Sequence, residues 1–125
     1  MQPVSLFDLA AQQARWLSVR QSAVAGNIAN INTPGYQAID VVPFEQVLDS
    51  AKLAFAPTRV GHMPLGAGRE TFNLRQDAIE TTSPSGNSVT VEQELVKAGE
   101  VRHAFELNTA IVKSFHRMMM MATRG

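Results

Sequence analysis

Cysteine is absent from this chain. That removes disulfides, thiolate nucleophiles and cysteine-ligated zinc together, and it leaves the redox compartment open. An excess of one charge is absent too. Eleven basic and eleven acidic residues give a formal net charge of zero, so no global field draws in nucleic acid or an anionic membrane. No apolar run approaches the roughly 20 residues that a membrane-spanning helix needs, so direct membrane insertion is not expected. The start, Met1-Gln2-Pro3-Val4-Ser5-Leu6-Phe7-Asp8, has neither a basic segment nor a sustained apolar one. The sequence therefore predicts no cleaved secretory signal, and any export is expected to use a different machine.

Catalytic constellations are missing as well. His62, His103 and His116 are the only imidazoles, and none stands at helical spacing from a carboxylate in a metal-ligand pattern. Gly66-Ala67-Gly68 lacks the third glycine and the preceding strand of a dinucleotide loop. Ser83, Ser85 and Ser88 form a turn cluster without a nucleophile elbow. The run Met118-Met119-Met120-Met121 offers soft thioether sulfurs, but methionine is chiefly an adaptable filler of helix contacts. No enzyme, metal or cofactor is expected.

What the chain does have is two long periodic segments. Phe7, Ala10, Ala14, Leu17, Val24, Ile28 and Ile31 recur in steps of three and four, broken only by Gln21, which predicts an amphipathic helix from about Leu6 to Asn30. Ser5 and Asp8 suit its start. Near the other end, Val101, Ala104, Asn108, Ile111, Phe115, Met118 and Ala122 repeat the pattern. Thr90-Val91-Glu92-Gln93 fits a capping box at the start of that second helix. Glu92 and Glu94 near its beginning, and Lys113, Arg117 and Arg124 near its end, complement the helix dipole. Between the helices, Pro43 can open a short helix carrying Phe44, Val47, Leu48 and Ala51 on one face. The stretch from Ala56 to Asn87 is rich in proline and glycine, with Thr71-Phe72-Asn73-Leu74 alternating like a strand.

The fold expected is mainly α: two long terminal helices forming an antiparallel coiled-coil pair, and a loop-rich middle with room for a short helix and a β-hairpin. Three regions result, residues 1–36, 37–89 and 90–125, the first and last folding as one helical unit. Burial along one stripe does not offset the backbone entropy of such long helices, so they need neighbours. Trp16 and Tyr36 are candidate anchors for those neighbours.

The first helix ends in a built stop signal. Asn30 and Asn32 tolerate left-handed geometry, Pro34 cannot continue a helix, and Thr33-Pro34-Gly35-Tyr36 reads as a type II turn with Gly35 at positive φ. Val24-Ala25-Gly26-Asn27-Ile28-Ala29-Asn30 followed by that turn resembles the N-terminal signature of the axial proteins of the bacterial flagellum. With Leu6-Phe7-Asp8, Arg20-Gln21, and Gly86-Asn87 before Val89, Glu92 and Glu94, the likeness is greatest to those of the proximal rod. It covers about Leu6 to Phe44 and Gly86 to the end, and fades in the middle.

The resemblance implies a structural subunit of the basal-body rod in the periplasm, polymerised through its terminal helices into a tube that carries torque from motor to hook. It implies export, unfolded, by the flagellar type III apparatus, and contacts with copies of itself and other rod and basal-body axial proteins. On that reading the assembly interface is Phe7, Ala10, Ala14, Trp16, Leu17, Val24, Ile28, Ile31, Val101, Ala104, Ile111, Phe115 and Met118. The signature turn is Asn27, Asn30, Thr33, Pro34, Gly35 and Tyr36. The rival reading is a soluble helical-hairpin adaptor, or export-chaperone-like protein, that lays one apolar face in a partner's groove.

Overall fold

The computed structural model describes residues 4–54, 72–76 and 84–124. His62, Gly66-Ala67-Gly68 and Ser83 lie outside them, as do the side chains of Ser5 and Ala51. The elements in order are α1 (Val4–Ala29), β1 (Ile39–Val41), α2 (Phe44–Ala54), β2 (Leu74–Gln76) and α3 (Val91–Thr123).

The two long helices lie antiparallel. Phe7 meets Phe115 edge to face at 5.1 Å, Ala10 is bonded from Asn108, Arg20 reaches Glu100, and Asn27 reaches Glu94. Contacts thus climb α1 as they descend α3. Between them sit Leu17, Val24 and Val101, at 1, 4 and 2% exposure. Ala38 and Val41 extend this core beneath the returning chain.

Burial on α3 follows a stricter repeat than the sequence suggested. Glu94, Val101 and Asn108 are buried and Phe115 is half-buried, a seven-residue step that keeps one seam facing a partner helix. Ala98, Phe105 and Val112 flank that seam, half-buried. Ile111 and Met118, expected on the stripe, stand outside the hairpin at 44 and 60% exposure. On α1 the equivalent displacement is one residue: Asn27 is fully buried, whereas Ile28 is 38% exposed.

Helix ends depart from expectation in three places. Because α1 begins at Val4, Asp8 falls beyond its first turn, which has no acidic residue. Thr90 occupies the N-cap of α3 with extended backbone, but its side chain makes no capping bond. The capping box is not formed; the start of α3 is held instead by the buried Glu94 and by the Asn87 turn described below. The last turn of α3 carries no basic residue, since Lys113 and Arg117 come too early and Arg124 lies one residue past the end.

In the middle, β1 and β2 form an antiparallel pair in which Asp40 faces Arg75, and Val42 N–H extends the ladder to Asn73 O. Pro43 precedes α2, and its carbonyl accepts from Gln46 and Val47. Proline suits this place because the first turn of a helix has no intrahelical use for its missing N–H.

Candidate functional site

Where α1 ends, the chain is tied back on itself by side-chain amides. Asn27 uses its whole bonding capacity. Its Nδ2 donates to Ile39 O at 2.8 Å and to Glu94 Oε2 at 3.1 Å, while its Oδ1 accepts from Ile39 N–H at 3.0 Å and Tyr36 O–H at 3.3 Å. One residue thereby joins α1, the turn, β1 and α3. Only a short, planar group with two donors and two acceptors can do this.

Glu94 is 1% exposed, and a lone carboxylate at that depth is costly. Its charge is met by Lys97 Nζ at 3.2 Å. Lys97 also approaches Asp40 at 4.0 Å, Asp40 is bridged by Arg20 at 3.3 Å, and Arg20 continues to Glu100 at 3.1 Å. The five groups make a chain of alternating sign across the hairpin. No buried side-chain polar atom among the described residues lacks a hydrogen-bond partner.

The turn itself is closed from far away in sequence. Tyr36 N–H donates to Thr33 O, and Gly35 has φ of 75°, the geometry of a type II turn. Asn30 Nδ2 reaches back to Gly26 O at 2.8 Å. Asn87 then donates to three carbonyls just past the end of α1, those of Asn30, Ile31 and Thr33, at 2.9, 3.0 and 2.7 Å. Its Oδ1 accepts from Val89 N–H at 2.7 Å. Beside it Ser88 N–H donates to Tyr36 O, Ser88 Oγ accepts from Ala38 N–H, and Gly35 N–H donates to Ser85 O. Gly86, at φ 81°, lies so close that an added Cβ would meet Gly35 Cα at 3.5 Å.

The two expected anchors are used within the chain. Trp16 is half-buried: its Nε1–H donates to Val42 O at 2.8 Å, its ring packs on Phe44 at 5.8 Å, and the Arg20 guanidinium lies over it at 5.7 Å. Tyr36 is likewise half-buried, with its hydroxyl on Asn27. Trp16, Arg20, Asp40, Phe44 and Arg75 line a polar cleft of about 370 Å³.

The expected interface residues fall into three groups. Leu17, Val24 and Val101 are buried inside the hairpin. Phe7, Ala10, Ala14, Ile31, Ala104 and Phe115 are half-buried along its seams. Ile28, Ile111 and Met118 are exposed, and with Leu107 at 55% the last two form a second apolar stripe on the flank of α3. There Leu6, Ala110, Ile111, Ser114, Phe115 and Met118 line a shallow groove of about 300 Å³.

Two polar residues on α3 do more than their spacing tells. Asn108 stands on the stripe as its spacing predicts, and Glu94, expected only as an acid near the helix start, is buried; each carries a cross-helix bond. Asn108 donates to Ala10 O and Gln13 Oε1, both at 3.0 Å. Among the described residues no three acidic or histidine side chains are grouped to hold a metal ion, and no helix is long and apolar enough to cross a membrane.

Comparison with known proteins matches this architecture at both helices. The model of the flagella basal body rod protein family matches residues 9–37, which is most of α1 with the closed turn. A FlgB flagellar basal body rod protein from Agrobacterium fabrum is 44% identical over 129 aligned positions, covering 99% of this chain and 96% of that protein. The chain belongs to the FlgB family of flagellar basal-body rod proteins. FlgB proteins from Aeromonas hydrophila and Bacillus subtilis are 29 and 27% identical over 75 and 66% of this chain. FlgB proteins are structural, non-enzymatic components of the basal body, and this one has a rod structural role alongside other basal-body rod proteins. In FlgB terms, the matched segment runs from Leu9 to Gln37 and ends at the residue whose Nε2 donates to Gly86 O.

Proposed function

We propose that this chain polymerises with copies of itself and with related axial proteins into the periplasmic rod, and that the resulting tube transmits torque. Export by the flagellar type III apparatus is part of the same reading. The observation that carries it is the exposed stripe Leu107, Ile111 and Met118 on the flank of α3. The hairpin already has a core, yet among the described residues this second stripe stays exposed along the helix. Apolar surface of that kind marks an interaction face. Further exposed apolar residues lie at Leu9, Ile28, Leu95 and Val96, away from any single groove, which favours several neighbours over the one partner of an adaptor. Head-to-tail contacts that do not close generate a tube.

The test is Leu107→Asp with Ile111→Asp. Both sites are exposed, so the helical circular dichroism of the full chain is expected to match the parent. Recovery in isolated basal bodies and swimming are expected to be lost. Parental recovery and swimming by the double variant would rule the stripe out as an assembly face.

A further inference from the structure

The two ends of α3 carry opposite charge, each on apolar ground. Beyond Glu106, α3 contains Lys113 and Arg117 and no acidic residue, and Arg124 follows at its C-cap. In that stretch Met118, Met119, Met120 and Met121 are 60, 42, 50 and 61% exposed. Four consecutive residues point around the whole circumference of a helix, so among the described residues this tip is exposed on every side. At the opposite end, Val91, Leu95 and Val96 are 40, 59 and 62% exposed, and the exposed Glu92 stands among them in the first turn.

Resting on the rod reading above, we infer that the methionine tip of α3 seats on the acidic, apolar start of a helix pair in the axial neighbour, a surface of the kind this chain presents around Glu92. A lateral neighbour covers one side of a helix and leaves the others wet. A receiving end surrounds the tip, and unbranched methionine adapts to the several helices it then meets. Contact between two such tips brings three cations against three, and like-charge juxtaposition opposes it. Contact with an acidic end matches charge to charge over apolar ground. It also gives the rod a polarity, because tip and start are different surfaces.

The test places the photoreactive residue p-benzoylphenylalanine at Met119 of the full-length chain in cells, followed by isolation of basal bodies and mass spectrometric mapping of the adduct. The expected adduct lies in the first turns of a helix that carries Asp or Glu among apolar residues, whether in this chain or in another axial subunit. Lys113→Glu with Arg117→Glu is expected to lower adduct yield per incorporated chain by about tenfold, and Lys113→Gln with Arg117→Gln by less. An adduct in a basic segment, along the flank of a parallel helix, or on lipid overturns the inference, as does a yield insensitive to charge reversal. Absence of the chain from the basal bodies overturns the rod reading instead, and the inference with it.

Discussion

Asn27 and Glu94 stand 67 residues apart in sequence and share a buried hydrogen bond of 3.1 Å at the junction of the two long helices. Removing the amide takes a partner from four groups: Glu94 Oε2, the Ile39 N–H and C=O, and the Tyr36 hydroxyl. Each unsatisfied buried group costs about 1–3 kcal/mol, and more when charged. Asn27→Ala is therefore expected to destabilise the chain by about 3 kcal/mol or more, read as a lowered urea midpoint. Asn27→Asp is expected to be worse, since it sets a second carboxylate against Glu94. A variant Asn27→Asp as stable as the parent would falsify the arrangement.

Asn87 offers a sharper comparison between two isosteric groups. Its Nδ2 faces three carbonyl oxygens, so an acceptor in that place is repelled by all of them. Asn87→Ala is expected to cost about 2 kcal/mol, the loss of a cap with several bonds. Asn87→Asp is expected to cost more than alanine does. Amide exchange at the end of α1 is the measurement, and equal protection in the two variants counts against the cap.

Gly35 has φ of 75° and open space where a Cβ would stand. Any penalty for a side chain there comes from backbone conformation alone. Gly35→Val is expected to cost about 1–3 kcal/mol, because a β-branched residue is excluded from the left-handed region. Gly35→Asn is expected to be tolerated much better. Thermal midpoints of the two variants in the reverse order would remove the type II turn from the account.

Leu17 and Ile28, both placed on one stripe by their spacing, are expected to respond differently to the same change. Leu17→Asp buries a charge at a site that is 1% exposed and is expected to cost about 4 kcal/mol or more. Ile28→Asp, at a site 38% exposed, is expected to leave the hairpin folded and to reduce recovery in basal bodies. Circular dichroism with basal-body recovery separates the two; loss of helix in both returns Ile28 to the core.

The single tryptophan supplies a reporter for the returning chain. Trp16 is bonded to Val42, so its emission is expected to shift to the red when β1 leaves α1. Trp16→Phe keeps the ring on Phe44 but leaves the Val42 carbonyl without its donor, at a cost of about 1 kcal/mol. An unchanged urea midpoint would mean that the bond contributes nothing.

Periodicity made the helices legible because it records where apolar side chains recur, and α1 and α3 recur over many turns. The turn was legible because Pro34 and Gly35 each admit few conformations. Periodicity put Asn108 on the stripe but could not show that Asn27 and Glu94 lie inside, since the partner that lets a polar residue be buried stands across the hairpin and leaves no mark in its spacing. The same limit shifted the α3 stripe sideways: Ile111 and Met118 are as apolar as Phe105 and Val112, and only the position of α1 decides which are covered. β1, at three residues, is too short to carry a period. Asn87 reads as one more turn residue, because the carbonyls it bonds lie just past α1, 54 to 57 residues earlier.

That remote cap also sets an order of events. A chain emerging from the ribosome at roughly 5–20 residues per second presents Asn30 several seconds before Asn87. During that interval the carbonyls just past α1 lack the amide of Asn87, and the amide of Asn27 lacks Glu94. A lone helix in water is marginal even with good ends. The bonds that tie the end of α1 to the rest of the hairpin therefore become available only once the final third of the chain has arrived.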